Sequence, residues 1–378
     1  MIIFIKFIFL ILLWQILQNI FCQTSNDSDN IYNKNIIHFI KCGGDCILIE
    51  GNGKFGLIDA SNNYEFIKNE VESVKIDPYN GEINQWTNIS ENSVQAILDY
   101  FENLRIKKLD FIIATHSHND HIGGMPAIAY KYVDNSTIYY YREYRKNIED
   151  TIRKYWANNK YYLAAIHSMQ KKNAKLVEVT NKKINFKFGD MNIEIMNTEM
   201  ASNELFIREN KNSIVTLIKF KNTKLFLASD MIKKDDRKIK NYLGKINILK
   251  LAHHGFSETS PEFIKTVKPD YVIITSEKLF EHAKKLIRYM KTRYNTKIYI
   301  THFIKYFAIK LHFELNRNVQ NEFYFENNDD IEFILNENLK LVDYIIFFLW
   351  LLFFIAFLLR KKQIILYILH PKKIKEKK

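Results

Sequence analysis

Apolar residues along this chain fall into short runs of strand character, separated by stretches of helical spacing. The first runs read as hairpin strands: His38 to Ile40, Cys46 to Ile49, a Gly51-Asn52-Gly53 turn, then Phe55 to Ile58, closing at Asp59. Ser90 to Leu104 instead sets Val94, Ile97, Leu98, Phe101 and Leu104 at helical spacing behind the capping candidates Ser90 and Asn92. Leu109 to Ala114 is a short apolar run of the buried-strand type. From Tyr139 to about Asn173 the chain is aromatic and basic and reads as helical. Strand-like runs follow at Ile193 to Met196, Ser213 to Phe220 and Leu225 to Ala228. Next come Ile246 to Leu251, a helix near Pro261 to Val267, Tyr271 to Thr275, a helix near Glu281 to Tyr294, and Lys297 to Ile300. Paired hairpins with helices packed outside predict an α+β fold, an αββα sandwich. No low-complexity linker or internal repeat interrupts residues 36–335, which read as one domain.

The two ends carry a different pattern. Residues 7–21 are uncharged, follow Lys6 and give way to a polar stretch, so residues 1–22 read as a signal peptide, or as an uncleaved signal anchor. Residues 341–359 are apolar apart from Asp343 and are followed by Arg360-Lys361-Lys362. Their 19 residues approach the ~20 that a helix needs to cross a bilayer, and predict a transmembrane helix. The positive-inside rule then places the basic tail, residues 360–378, in the cytoplasm and the domain in a lumen or outside the cell, as a single-pass membrane protein. Sequons at Asn26, Asn88 and Asn135 agree with a glycoprotein. Cys42 and Cys46 run into a strand, where side chains four apart stand about 13 Å from each other, beyond disulfide reach. A local pairing of the two thiols is the alternative.

Composition adds two things. With 378 residues and 47% hydrophobic content, the chain has material for a large core, which excludes collagen-like, disulfide-scaffold and wholly disordered classes. The net charge of +13 invites a nucleic-acid reading, but the tail alone supplies +7 of it, so the domain is only mildly basic.

Candidate chemistry lies directly after the Leu109 to Ala114 strand, in Thr115-His116-Ser117-His118-Asn119-Asp120-His121-Ile122-Gly123-Gly124. His-x-His presents two imidazoles from one side of an extended segment, and Asp120-His121 add ligands as the chain turns. Imidazole with carboxylate suits zinc, with manganese or iron as other possibilities.

This His-x-His-x-Asp-His run after a buried strand resembles the signature of the metallo-β-lactamase superfamily. Asp59 stands where that family has an early Asp, and Leu225 to Asp230 is similar to the strand that delivers its metal-bridging Asp. Leu249 to Ser257, containing His253-His254-Gly255, resembles the His-His-Gly-Ser segment of the ComEC-like competence branch. The chain departs from the pattern in Asp59-Ala60-Ser61 and Ser229-Asp230, where the family usually has Asp-x-Gly and Gly-Asp. It also lacks a histidine that many relatives carry between the first motif and the bridging Asp; only His167 falls there, inside the aromatic stretch.

The resemblance implies metal-assisted hydrolysis with one or two ions. His116 and His118 would hold one metal, Asp120 and His121 the other, and Asp230 would bridge. The terminal ligand stays open among His253, His254 and His282. Asp120, with His254, would act in catalysis, Asp120 as proton acceptor or orienter of the attacking water. Asp59 would sit behind a histidine and set its tautomer. The ComEC-like branch is associated with single-stranded DNA degradation, which implies phosphodiesters and a nucleic-acid partner. The alternatives are a lipid or small-ester hydrolase at the membrane and a non-catalytic binding protein with the same fold.

Overall fold

The computed structural model describes residues 34–62, 93–144, 158–180, 182–197, 209–256, 258–276, 279–304, 307–314, 323–326 and 349. The chain separates into two compact units, residues 1–328 and 329–378, and of the second only Leu349 is described. The signal segment 1–22, the transmembrane helix 341–359 except Leu349, the tail 360–378, and the sequons at Asn26 and Asn88 therefore lie outside the described residues. Among the described residues no helix is long and apolar enough to cross a membrane. Asn135 is exposed on a turn.

The first unit is built on two sheets. One has eight strands in the order β15-β14-β1-β2-β3-β4-β5-β6: β1 (Asn35–Ile40), β2 (Ile47–Gly51), β3 (Lys54–Ile58), β4 (Phe111–Ile113), β5 (Ile138–Tyr141), β6 (Lys175–Glu178), β14 (Ala308–Phe313) and β15 (Phe323–Glu326). The other has seven in the order β13-β12-β11-β10-β9-β8-β7: β7 (Ile184–Phe188), β8 (Met191–Asn197), β9 (Ile214–Phe220), β10 (Thr223–Leu227), β11 (Ile248–Lys250), β12 (Tyr271–Ile274) and β13 (Lys297–Ile300). Each sheet is antiparallel on one side and parallel on the other: β3 to β6 run parallel in the first, β10 to β13 in the second. The helices are α1 (Ser93–Asn103), α2 (Asn119–Ile122), α3 (Met125–Tyr132), α4 (Asn158–Lys171), α5 (Lys233–Leu243), α6 (Pro261–Val267) and α7 (Glu281–Tyr294).

Strand periodicity separates the layers. Ile40, Leu48, Leu57, Ile112 and Tyr139 of the first sheet pack with Ile97 and Phe101 of α1, Met125 and Ile128 of α3, and Tyr161 and Met169 of α4. The opposite face meets the second sheet: Phe111 stands edge-on to Phe188 at 4.9 Å, and Phe220 stacks on Phe313 at 4.9 Å. Each fully buried aliphatic or aromatic side chain here contributes about 1.5–3 kcal/mol. The result is an α+β sandwich of two facing sheets with helices outside, as the hydrophobic pattern predicts.

The predicted helix from Tyr139 is corrected at its start. Ile138–Tyr141 is a strand, paired in parallel with β4 and β6, and the helix of this region, α4, begins at Asn158. The reason is a period of two: Tyr139 packs with the helices, while Tyr140 turns to the other side and stacks on Phe186 at 5.6 Å. The cysteine geometry is also corrected. β2 begins only at Ile47, so Cys42 and Cys46 flank a loop; both thiols are free, and Cys42 Sγ donates to the carbonyl of Gly44 at 3.3 Å.

Candidate metal centre

The residues with candidate chemistry lie where parallel strands end. β3 runs into Asp59, β4 into Thr115-His116, β10 into Ser229-Asp230, β11 into His253-His254 and β12 into Thr275. After β4, the carbonyl of Thr115 accepts from the amide of Ile214 at 2.9 Å, which ties the loop to the second sheet. The chain then closes the single turn of α2, with the amides of His121 and Ile122 donating to the carbonyl of His118. That turn brings Asp120 and His121 back towards His116 and His118. The Cys42 to Cys46 loop packs directly on it: the amide of Asp45 donates to the carbonyl of Asp120 at 3.0 Å. A Cβ at Gly44 would stand 1.8 Å from that carbonyl oxygen, so only glycine allows the approach.

Ser61 and Ser229, the two positions where the family resemblance expects glycine, both have left-handed backbone, with φ of 62° and 46°. The turn geometry persists without the glycine, at a cost of about 1–2 kcal/mol for each residue.

Two groups of donors converge on Asp230. His116, His118 and Asp230 form one, here site A; His121, His254 and Asp230 form the core of the other, site B, with Asp45 near them. Ligand atoms about 2.1 Å from a tetrahedral ion lie about 3.4 Å apart. The observed edges match this scale. In site A, His116 Nε2 is 3.0 Å from His118 Nδ1 and 3.8 Å from Asp230 Oδ2. In site B, His121 Nε2 is 3.3 Å and His254 Nε2 is 3.6 Å from Asp230 Oδ1. Asp120 Oδ2 joins site B at 3.3 Å from His254 Nε2 and 3.9 Å from His121 Nε2. His121 Nε2, His254 Nε2 and both oxygens of Asp230 are buried with no hydrogen-bond partner. Four buried polar atoms left unmatched would be costly, and a divalent cation is the partner that their chemistry fits.

The outward-facing ring nitrogens of His116, His121 and His254 are engaged. His121 Nδ1 lies 2.7 Å from Asp59 Oδ2, and His254 Nδ1 donates to the carbonyl of Thr275 at 2.8 Å. Thr115 Oγ1 donates to Asp59 at 2.7 Å and faces His116 Nδ1 at 3.1 Å, which commits the hydroxyl proton and leaves that ring nitrogen as the donor. Three histidines thus turn Nε2 inward, each oriented by a partner behind it. Asp45 belongs to this outer layer: it approaches the Nδ1 sides of His121 and His254, at 3.8 and 3.4 Å, and pairs with the buried Lys250 and with Thr275 Oγ1.

Electrostatics divide the two sites. Burial opposes charge on His121, but the carboxylates of Asp230, Asp59 and Asp120 outweigh it and hold its pKa well above normal. The same competition, with Asp230 and Asp45 prevailing, pushes His254 up to about 10. His116 goes the other way, held well below normal by burial and by the neighbouring His121 and His118. Asp230 and Asp120 are held low despite burial, chiefly by His121.

Of the sequence candidates, the structure brings together His116, His118, Asp120, His121, Asp230, His253 and His254, with Asp59 behind His121. His253 stands at the edge, in neither group of mutually close donors but with its Nε2 3.6 Å from Asp230 Oδ2. His282 is not brought in: it is exposed on the first turn of α7 and is in neither group. His167 is on α4, outside both. Residues without an assigned part in the sequence reading are Asp45, Lys250, Thr275, Asn210 and Glu209. Glu209 is buried, accepts from the Ser117 amide at 3.2 Å, and is pushed up to about 7 by burial. Two of these carried a signal: a lysine inside the apolar strand Ile248–Lys250 requires a buried partner, and two glycines before Asp45 mark a close backbone approach.

Residues 40–180 match the family model described as the metallo-beta-lactamase superfamily. No curated protein sequence matches the chain. Solved structures of similar fold include the metallo-beta-lactamase fold protein YhfI from Bacillus subtilis, at 14% identity and a TM-score of 0.44, covering 74% of this chain and 99% of that one. Another is Tm1679, a metal-dependent hydrolase of the beta-lactamase superfamily, at 10% identity and a TM-score of 0.43, covering 73% and 98%. A third is CmlA, a diiron beta-hydroxylase from Streptomyces venezuelae, at 13% identity and a TM-score of 0.42, covering 71% of this chain and 53% of CmlA. The chain thus spans about half the length of CmlA.

Proposed function

We propose that this chain, whose residues 40–180 match the metallo-beta-lactamase superfamily model, is a metal-dependent hydrolase of that superfamily. The observation that carries the reading is the set of buried, unpartnered donor atoms around Asp230, spaced as the edges of cation coordination shells. His116, His118 and Asp230 would hold one divalent cation; His121, His254, Asp120 and Asp230 would hold the other. Zinc suits this donor set, and manganese or iron does as well. A cation so held supplies Lewis acidity and lowers the pKa of water at the site. Asp120 is the ligand-side carboxylate best placed to meet solvent, since its side chain is 31% exposed while that of Asp230 is buried. Kept ionised by His121, it can accept and orient a proton of the attacking water. Asp59, Thr115 and Thr275 hold the histidine tautomers, so the ligand set needs little rearrangement during the reaction.

For substrate we propose a phosphodiester of single-stranded nucleic acid. The His253-His254-Gly255 segment supports this through its ComEC-like resemblance. Phe256 also supports it, being 48% exposed and 5.3 Å from the His253 ring, where it offers a stacking face beside the site. We further propose that the hydrolase is membrane-anchored, with its domain lumenal or extracellular, which rests on residues 341–359 and the basic tail. The test is elemental analysis of the full-length chain followed by hydrolysis of single-stranded DNA, lipid esters and small esters. Bound metal, with DNA cleavage lost on chelation and in His118→Ala, is the expected result. A wild-type chain that holds no metal, or turnover indifferent to chelator, would overturn the hydrolase reading. Turnover of lipid esters with none of DNA would overturn the substrate.

A further inference from the structure

We infer that the tandem His253-His254 is divided between the two cation sites, and that His253 is the fourth protein ligand of site A. This rests on the metal-dependent reading above. Without His253 the sites are unequal: site A draws on His116, His118 and Asp230, whereas site B draws on His121, His254, Asp120 and Asp230. The carboxylate of Asp230 shows how the division runs. Its Oδ1 faces His121 Nε2 at 3.3 Å and His254 Nε2 at 3.6 Å. Its Oδ2 faces His116 Nε2 at 3.8 Å and His253 Nε2 at 3.6 Å. Each oxygen therefore has one histidine from the first motif and one from the tandem. The distance from His253 to Oδ2 equals that from His254 to Oδ1.

The backbone is bent to achieve this. His253 and His254 are both left-handed, with φ/ψ of 51°/49° and 53°/23°. Two successive non-glycine residues in that region cost about 1–3 kcal/mol each, a cost that persists where surrounding structure enforces it. Here the amide of His253 donates to the carbonyl of Ser229 at 2.9 Å, beside Asp230 itself. The outer side of the His253 ring also has partners. Its Nδ1 lies 3.8 Å from Glu258 Oε1, and Asn210 Nδ2 is 3.4 Å from Nδ1 and 3.5 Å from Nε2. The side chain is 24% exposed, so His253 stands at the mouth of site A, where a ligand also meets substrate.

Zinc titration of the full-length chain against a chromophoric chelator tests the division, with the visible spectrum of cobalt-substituted protein reporting coordination. The wild type is expected to bind two ions. His253→Ala should weaken one of them by more than about tenfold, since even the loss of an outer partner costs that much, and should alter the cobalt spectrum. Adding His253→Ala to His118→Ala should spare the remaining ion, whereas adding His254→Ala to His118→Ala should weaken both. His253→Gly separates ligation from folding: it should raise the metal-free melting temperature by relieving strain while still losing the ion. Two ions at wild-type affinity in His253→Ala, or weakening of both sites in His118→Ala/His253→Ala, would overturn the division and leave the hydrolase reading intact. A wild type that binds no zinc would remove that reading and the division with it.

Discussion

Sites A and B share one carboxylate yet are prepared for a cation in opposite ways. In site A, His116 is held towards the neutral state by burial and by the neighbouring imidazoles of His121 and His118, and its Nε2 faces His118 Nδ1 at 3.0 Å. In site B, His121 and His254 are drawn towards the protonated state by Asp230, Asp59 and Asp45, so a cation entering there must displace protons. The difference follows from the outer layer. Behind site B lies a buried array of Asp59, Asp45, Lys250 and Thr275; behind His116 the hydroxyl of Thr115 faces Nδ1. Site A thus offers a neutral His116 beside the ionised Asp230, and site B exchanges protons for metal.

Removing the shared residue should erase the contrast. Asp230→Ala is expected to lose both ions and at least about a thousandfold in turnover, because metal-assisted catalysis is worth several kcal/mol; metal content and kcat on the same preparation check it. Breaking only the outer layer of site B should come next. Lys250→Met leaves Asp45 as an uncompensated buried charge and should cost about 3–5 kcal/mol in chemical denaturation, much of it recovered in Asp45→Asn/Lys250→Met. Asp59→Asn removes the negative charge and one of the two acceptor oxygens behind His121 and should lower zinc affinity at one site by about 10–100-fold while sparing the other, read by chelator competition.

The protonation contrast has its own test. His254 in the folded metal-free protein has a pKa of about 10, above an unfolded value near 6.5. Its protonated form therefore adds stability that is complete below about 6.5 and is lost as pH rises through about 10. The metal-free melting temperature should fall between about pH 7 and pH 10 more steeply than that of zinc-loaded protein, in which the ion has replaced the proton. Equal slopes would show that site B carries no such charge. The smallest effect is expected from Ser229→Gly, which relieves left-handed strain and a buried hydroxyl without a partner, and should raise metal-free stability by about 1 kcal/mol.

The sandwich and the ligand cluster were legible to different depths. The apolar runs Phe55 to Ile58 and Ser213 to Phe220, and the helical spacing of Val94, Ile97 and Phe101, announce their elements because the runs are buried almost throughout and the helix buries one face. β6, β14 and β15 and helix α5 were not legible. Lys175–Glu178 and Phe323–Glu326 keep mixed exposure, and Lys233–Leu243 buries Asp235 and Asp236 beside Ile239 and Leu243, so their patterns are polar. Tyr139 and Tyr140 misled because an aromatic run carries no strong period, and only pairing with β4 and β6 makes it a strand.

Asp45 and Lys250, separated by 205 positions, meet only when the two sheets close on each other. His282 was open as a ligand because it follows a late strand, but α7 carries it into solvent. By itself, the sequence determined the donor types and the motif that gathers His116, His118, Asp120 and His121, because these lie within one short loop whose geometry is local. Tertiary structure alone decided which oxygen of Asp230 each histidine faces and which groups stand behind the imidazoles. Those depend on strand ends of two sheets meeting across the sandwich, and no local pattern encodes that distance.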